Sequence, residues 1–169
     1  MPFTPFHMGP GLLIKAFLQG SFSLMVFGWT QIIMDIQPLI ALLNRDENIH
    51  GFTHTYIGAV LIAIFSAVTG KHLSEFGLVV LRISRQHQPI KISWVVTLIS
   101  AFIGSFSHVI LDSLMHKDMR PFSPFSDTNI LLDAVTVGDI YKYCTYSGLL
   151  GTVLYFSIRY WLQQKKITS

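Results

Sequence analysis

The sequence predicts an all-α integral membrane protein, an embedded helical bundle formed by a single domain over residues 1–169. The composition and the chain pattern both indicate this class. Apolar residues make up 51% of the chain and charged residues only 12%, and the mean hydropathy is +0.51, whereas about 25% of the residues of soluble domains are charged. Several apolar segments are also long enough to enter or cross a bilayer.

The first apolar segment, residues 11–34, allows two interpretations. As one span it would leave His7 and Asp35 on opposite sides of the membrane. A break near residue 20 would instead make residues 8–19 and 21–34 the arms of a short helical hairpin. A helix of twelve residues is about 18 Å long and the bilayer core is about 30 Å thick, so neither arm would cross. We prefer the hairpin, because it returns Asp35 to the side of His7.

Three further membrane helices are predicted at residues 55–70, 92–114 and 146–162. The last of these ends in a Tyr-Trp pair, as an aromatic belt at the membrane interface would. The segment 74–85 is too short to span and has a charged end, which favours an interfacial helix.

The distribution of Lys and Arg predicts the orientation. On the hairpin arrangement, loops 34–54 and 115–145 share one side and carry four of these residues, against six or seven on the other side. By the positive-inside rule the two loops face outward. The formal charge of +3 and the pI near 9.1 therefore reflect membrane-flanking residues, and no nucleic-acid partner is expected.

The stretch "SHVILDSLMHKD" places His108, Asp112 and His116 at intervals of four. Residues four apart share one face of a helix and lie about 6 Å apart along its axis. Each neighbouring pair can therefore share a metal ion, with Asp112 as a bridge. The two histidines are about 12 Å apart along that axis, too far for one ion.

Four more candidate ligands lie near the ends of apolar segments and could converge at one membrane interface: His50 and His54 of "HGFTHT", Asp35 of "IMDIQP", and His7. An ionisable pair inside an apolar helix usually marks function. A proton relay is the rival interpretation. Metal binding is preferred because five His and two Asp exceed what a relay needs. The single Cys144 excludes a cysteine-based zinc site.

Together these motifs resemble the membrane-bound metal-dependent hydrolase family, which includes a bacterial inner-membrane protein controlled by the LexA repressor. That family is grouped with the zinc-dependent phospholipases C and the single-strand zinc nucleases. The resemblance covers residues 7 to about 127. It implies an all-helical enzyme of the bacterial inner membrane that cleaves phosphoesters with clustered zinc ions.

The resemblance assigns the early histidine of the family to His7 and its aspartate to Asp35. It assigns the paired histidines to His50 and His54, and the "SHxxxD" pair to His108 and Asp112. The chain departs from the family pattern because "MDIQP" lacks the second acid and the following histidine. We therefore expect two zinc ions rather than three.

The expected reaction is attack of a metal-activated water on a phosphoester. Zinc lowers the pKa of bound water towards 7, and a pair of ions can hold the attacking and leaving oxygens. Asp112 and His116 are expected to act in catalysis, Arg120 to contact a substrate phosphate, and Asp118 or Asp127 to orient a histidine ring.

A site at headgroup depth would meet lipid substrates by lateral diffusion, which favours a lipid-like phosphoester. Two other functions stay open. The chain could be a metal or proton transporter, or a non-catalytic membrane protein with a structural metal.

Overall fold

Five α-helices and three short 3₁₀ turns make up the computed structural model of the protein, which describes residues 5–81 and 91–168. The helices are α1 (Met8–Leu18), α2 (Leu24–Asn44), α3 (Tyr56–Val80), α4 (Trp94–Met115) and α5 (Val137–Thr168). The described residues contain no β-strand, so the predicted all-α class is confirmed.

Three of the described helices, α2, α3 and α4, are long and apolar enough to cross a membrane. Each begins at a hydroxyl side chain that accepts a hydrogen bond from the first turn: Ser23 for α2, Thr55 for α3 and Ser93 for α4. Such caps satisfy backbone N–H groups that the helix itself leaves unpaired.

The predicted break in the first apolar segment is confirmed. Helix α1 has 11 residues and ends at a 3₁₀ turn, Gln19–Ser21. Polar groups satisfy the backbone there: the Lys15 ammonium donates to the carbonyls of Gln19 (2.5 Å) and Phe22 (2.6 Å), and the N–H of Ser23 donates to Ser100 Oγ (2.8 Å). A turn within a bilayer needs such internal partners.

The second arm is longer than predicted. Helix α2 continues past residue 34 to Asn44, so it is itself a candidate span and Asp35 lies inside it. The sequence prediction ended the segment at residue 34, just before Asp35. Pro38 nevertheless lies inside the helix and is buried, because one missing N–H is tolerated where packing holds the rest.

The predictions for residues 55–70 and 92–114 correspond to α3 and α4, whereas two others need correction. Residues 74–80 continue α3 instead of starting an interfacial helix; residues 82–90, which include most of the remainder of that segment, lie outside the described residues. Residues 146–162 belong to the 32-residue α5, which is not among the three candidate spans.

Helices α2, α3 and α4 pack against one another, and α1 packs mainly along α5. Small residues permit the second contact. A Cβ at Gly9 would collide with the carbonyl oxygen of Cys144, and a Cβ at Gly151 would collide with the backbone at Leu13. This packing sets the position of the start of α1, where His7 lies.

Candidate metal centre

Asp112 lies at the centre of a buried group of imidazole rings. Its Oδ1 faces His7 Nε2 at 3.3 Å and His116 Nε2 at 3.9 Å. Its Oδ2 faces Nε2 of His108 at 3.1 Å, of His54 at 3.4 Å and of His50 at 3.8 Å. Since the two oxygens face different histidines, the carboxylate is placed to bridge two neighbouring ions.

The other two carboxylates flank this group. Asp35 Oδ1 lies 3.4 Å from His108 Nε2, and Asp118 lies beside His50. Four sets of three side chains have ligand atoms within 4.8 Å of one another. They are His7–His108–Asp112, Asp35–His54–His108, His50–His54–Asp112 and His50–His116–Asp118. All seven sequence-predicted metal ligands, together with Asp118, thus lie in one cluster, which we call the His–Asp cluster.

The elements that position these residues differ from the predicted ones. His116 follows the last residue of α4 in an extended conformation, so it does not continue the helical stripe of His108 and Asp112. His50 and His54 belong to a loop and to the 3₁₀ turn Phe52–His54, and not to an α-helical pair. The spacing of four nevertheless brings the rings of His50 and His54 to 5.0 Å, because the loop folds back over Asp112.

Hydrogen bonds on the outer ring nitrogens orient three of the histidines. The Nδ1 of His108 lies 2.6 Å from Gln31 Oε1, and Gln31 Nε2 donates to the Gly104 carbonyl (2.9 Å). The amide oxygen is therefore the acceptor, so His108 Nδ1 carries the hydrogen. Its Nε2 faces Asp112 Oδ2.

Two further rings follow the same pattern. Thr53 Oγ1 donates to Gln37 Oε1 (2.6 Å), so it accepts from His54 Nδ1 at 3.0 Å. The Nδ1 of His50 lies 2.9 Å from Asp118 Oδ1. A ligand histidine typically donates its second N–H to a carboxylate or another fixed acceptor in this way. Three Nε2 atoms therefore face one carboxylate oxygen, Asp112 Oδ2.

The inner nitrogens lack the partners that buried polar groups normally have. Both ring nitrogens of His7 and the Nε2 atoms of His54 and His108 are buried without a hydrogen-bond partner among the described residues. Lone pairs facing a carboxylate repel it unless a cation lies between them. Two ligands of one tetrahedral zinc are about 3.3 Å apart, which matches the separations around Asp112. The side chains therefore fit divalent metal ions.

Outside the spanning helices, the pKa shifts favour metal binding. Burial lowers the pKa of His54 to about 4, although the Asp112 carboxylate raises it. Burial also lowers the pKa of His116. Burial raises the pKa of Asp118, but hydrogen bonds from the backbone and ring of His50 outweigh it and lower the pKa overall. Neutral imidazoles and ionised carboxylates are the forms that bind metal.

A cavity of about 310 Å³ opens beside the cluster, and its wall includes His50, Asp118, Arg120, Phe52 and Ser123. Arg120 is 60% exposed and lies 3.6 Å from Asp127 Oδ1. Asp127, which the sequence offered as a partner for a histidine ring, contacts this arginine instead. Asp118 is the carboxylate that holds a ring.

Sequence reasoning did not identify Gln31, Gln37 and Thr53. The position of Gln31 could have been recognised from the sequence, because it is an amide inside an apolar segment and lies four residues before Asp35, on the same helix face. Gln37 and Thr53 carried none, since their roles depend on the contact between α2 and the loop around residue 53.

Comparison with known proteins identifies the family. A family model described as "YdjM inner membrane protein" matches residues 13–166. No curated protein and no solved structure gives a match. The resemblance to a hydrolase family grouped with zinc-dependent phospholipases C is therefore wrong: the matching family is described only as an inner membrane protein.

Proposed function

The chain belongs to the YdjM inner membrane protein family, and from the geometry of its His–Asp cluster we propose that this inner membrane protein is a metal-dependent hydrolase of phosphoesters. The observation that carries the proposal is the arrangement around Asp112. Five Nε2 atoms lie within 3.9 Å of its two oxygens, and three of those rings are oriented by hydrogen bonds at Nδ1.

Charge balance supports two divalent ions. With neutral histidines, the three aspartates of the cluster bring a formal charge of −3 into a largely buried site. An uncompensated buried charge costs several kcal/mol. One divalent ion would leave a charge of −1, and two would leave +1, which a hydroxide derived from the metal-activated water would bring to zero.

The residues of the His–Asp cluster would have different roles in the reaction. Asp112 would bridge the ions, while His7, Asp35, His54 and His108 would hold them on the buried side. Bound zinc would supply a Lewis acid and a water molecule of lowered pKa. On the exposed side His50 lines the cavity, where substrate would enter, and the His116 ring lies beside that of His50. Asp118 would keep the His50 ring in place.

The cavity favours a phosphoester with an apolar portion. Arg120 can donate in a bidentate manner to phosphate oxygens, and it would exchange its exposed contact with Asp127 for the substrate. Phe52 and Phe122 lie exposed on the same side of the molecule. A lipid-like substrate would keep its apolar portion against them while its phosphate reached His50.

Elemental analysis of the detergent-purified protein tests the metal step. We expect about two equivalents of zinc in the wild type and loss of metal in Asp112→Asn. His72→Gln is the matched control, because His72 is exposed on α3 and outside the cluster. Full metal content in Asp112→Asn would contradict the bridging role.

Hydrolysis assays test the catalytic step against the two alternatives. The zinc-loaded protein in lipid nanodiscs should hydrolyse a lipid phosphoester, and Arg120→Gln should raise KM more than it lowers kcat. Metal or proton flux into proteoliposomes, without hydrolysis, would support a transporter. Bound zinc without either activity would support a structural metal.

A further inference from the structure

Two cations from different helices lie beside one aromatic ring, on the part of the molecule away from the His–Asp cluster. Lys15 Nζ of α1 lies 5.9 Å from the centre of the Tyr155 ring, and Arg159 Cζ of α5 lies 6.0 Å from it. Arg159 also donates to Tyr155 Oη (2.9 Å). The positive charges of Lys15 and Arg159 therefore both lie close to the Tyr155 ring.

No described carboxylate forms an ion pair with either cation, whereas Lys71 and Lys142 each pair with an acid. The two charges repel each other. Two hydrogens of the Lys15 ammonium are taken by backbone carbonyls, which leaves one for another acceptor. A pair of like charges near a membrane needs an anion, and the residues that the structure describes do not provide one there.

The space next to these cations is apolar and elongated. A cavity of about 250 Å³ is lined by Lys15, Tyr155, Leu12 and Thr152. Leu12 and Thr152 also line a second cavity of about 310 Å³, which continues between α1 and α5 towards Phe6. The two cavities are thus neighbours along α1 and α5, and together we call them the α1–α5 groove. Its cationic end is polar and the remainder is apolar.

We propose that the α1–α5 groove binds an anionic phospholipid, with the phosphate at Lys15 and Arg159 and an acyl chain along Leu12 and Thr152. Charge complementarity selects this occupant, because basic pockets between membrane helices bind anionic headgroups. The position agrees: Arg159 lies fifteen residues beyond Cys144, which contacts Gly9, or about 22 Å along α5. The lipid would thus bind towards the side opposite the His–Asp cluster.

Native mass spectrometry of protein released from nanodiscs tests this proposal independently of the proposed function. The probes are phosphatidylglycerol and phosphatidylcholine. We expect one retained phosphatidylglycerol and no retained phosphatidylcholine. Arg159→Gln should weaken retention about fivefold, the equivalent of one cation–lipid contact of about 1 kcal/mol. Lys142→Gln, at the other end of α5, is the matched control and should have no effect.

A second pair of variants tests the apolar part of the groove. Thr152→Phe would fill the groove and should abolish retention, whereas Val153→Phe, at an exposed position that lines neither cavity, should not. Thermal unfolding in detergent serves as the folding check, so this test does not depend on metal binding by the His–Asp cluster. Equal retention of both lipids, retention unchanged in both Arg159→Gln and Thr152→Phe, or displacement by inorganic phosphate would overturn the proposal.

Discussion

Replacing Gln31 with leucine should weaken metal binding although Gln31 is not itself one of the proposed metal ligands. Its amide oxygen lies 2.6 Å from His108 Nδ1, and its amide nitrogen donates to the Gly104 carbonyl. Leucine is similar in size but removes both contacts. The His108 ring would then be free to turn, and its Nδ1–H would be buried without an acceptor.

Two magnitudes follow from these contacts. Loss of a partner that orients a ligand histidine typically reduces metal affinity about 10- to 100-fold, which corresponds to about 1.4–2.8 kcal/mol. A buried donor left unpaired also costs about 1–3 kcal/mol of folding stability. Gln31→Glu should restore much of the affinity, because a carboxylate accepts the same hydrogen bond.

Competition for zinc against a chromophoric chelator measures the affinity, and thermal unfolding in detergent measures the stability. Trp29→Phe is the matched control. It removes a hydrogen bond from the same helix, between Trp29 Nε1 and Thr69 Oγ1 (2.9 Å), and should change stability only. Wild-type zinc affinity in Gln31→Leu would refute the orienting role of this amide.

Three other perturbations have defined outcomes. Gly9→Val should displace α1 from the Cys144 carbonyl and move His7, so unfolding temperature and metal content should both fall; a fully loaded variant would contradict this packing argument. Arg120→Gln should leave zinc content unchanged while it weakens binding of a soluble phosphoester, measured by calorimetry; unchanged binding would remove Arg120 from the site. Acidification should destabilise the metal-free protein as pH falls from 6.5 towards 4. The reason is that His54 takes up a proton near pH 6.5 in the unfolded chain, whereas in the folded protein it resists protonation down to about pH 4. A series of melting curves at different pH values measures this effect, and constant stability between pH 6.5 and 4 would contradict the burial of a neutral ring.

The sequence was most informative where a pattern of residue types is compatible with few structures. The apolar segments predicted the class, and the "SHVILD" and "HGFTH" spacings led to residues that lie together in the structure. It was least informative at helix boundaries. Asp35 suggested an end to the first segment, yet α2 continues through it to Asn44, because α2 packs against α3 and α4 and its buried residues run from Val26 to Ala41.

The class of the protein and the side chains available for its chemistry can be read from the chain, since hydropathy and local spacing are properties of the sequence. How those side chains act together depends on the tertiary structure. Asp112 faces five histidines because α1, α4 and the loop around residue 50 meet there. Gln31 and Asp118 orient rings that lie 77 and 68 residues away in the chain. Such partners follow from packing, and no local pattern specifies them.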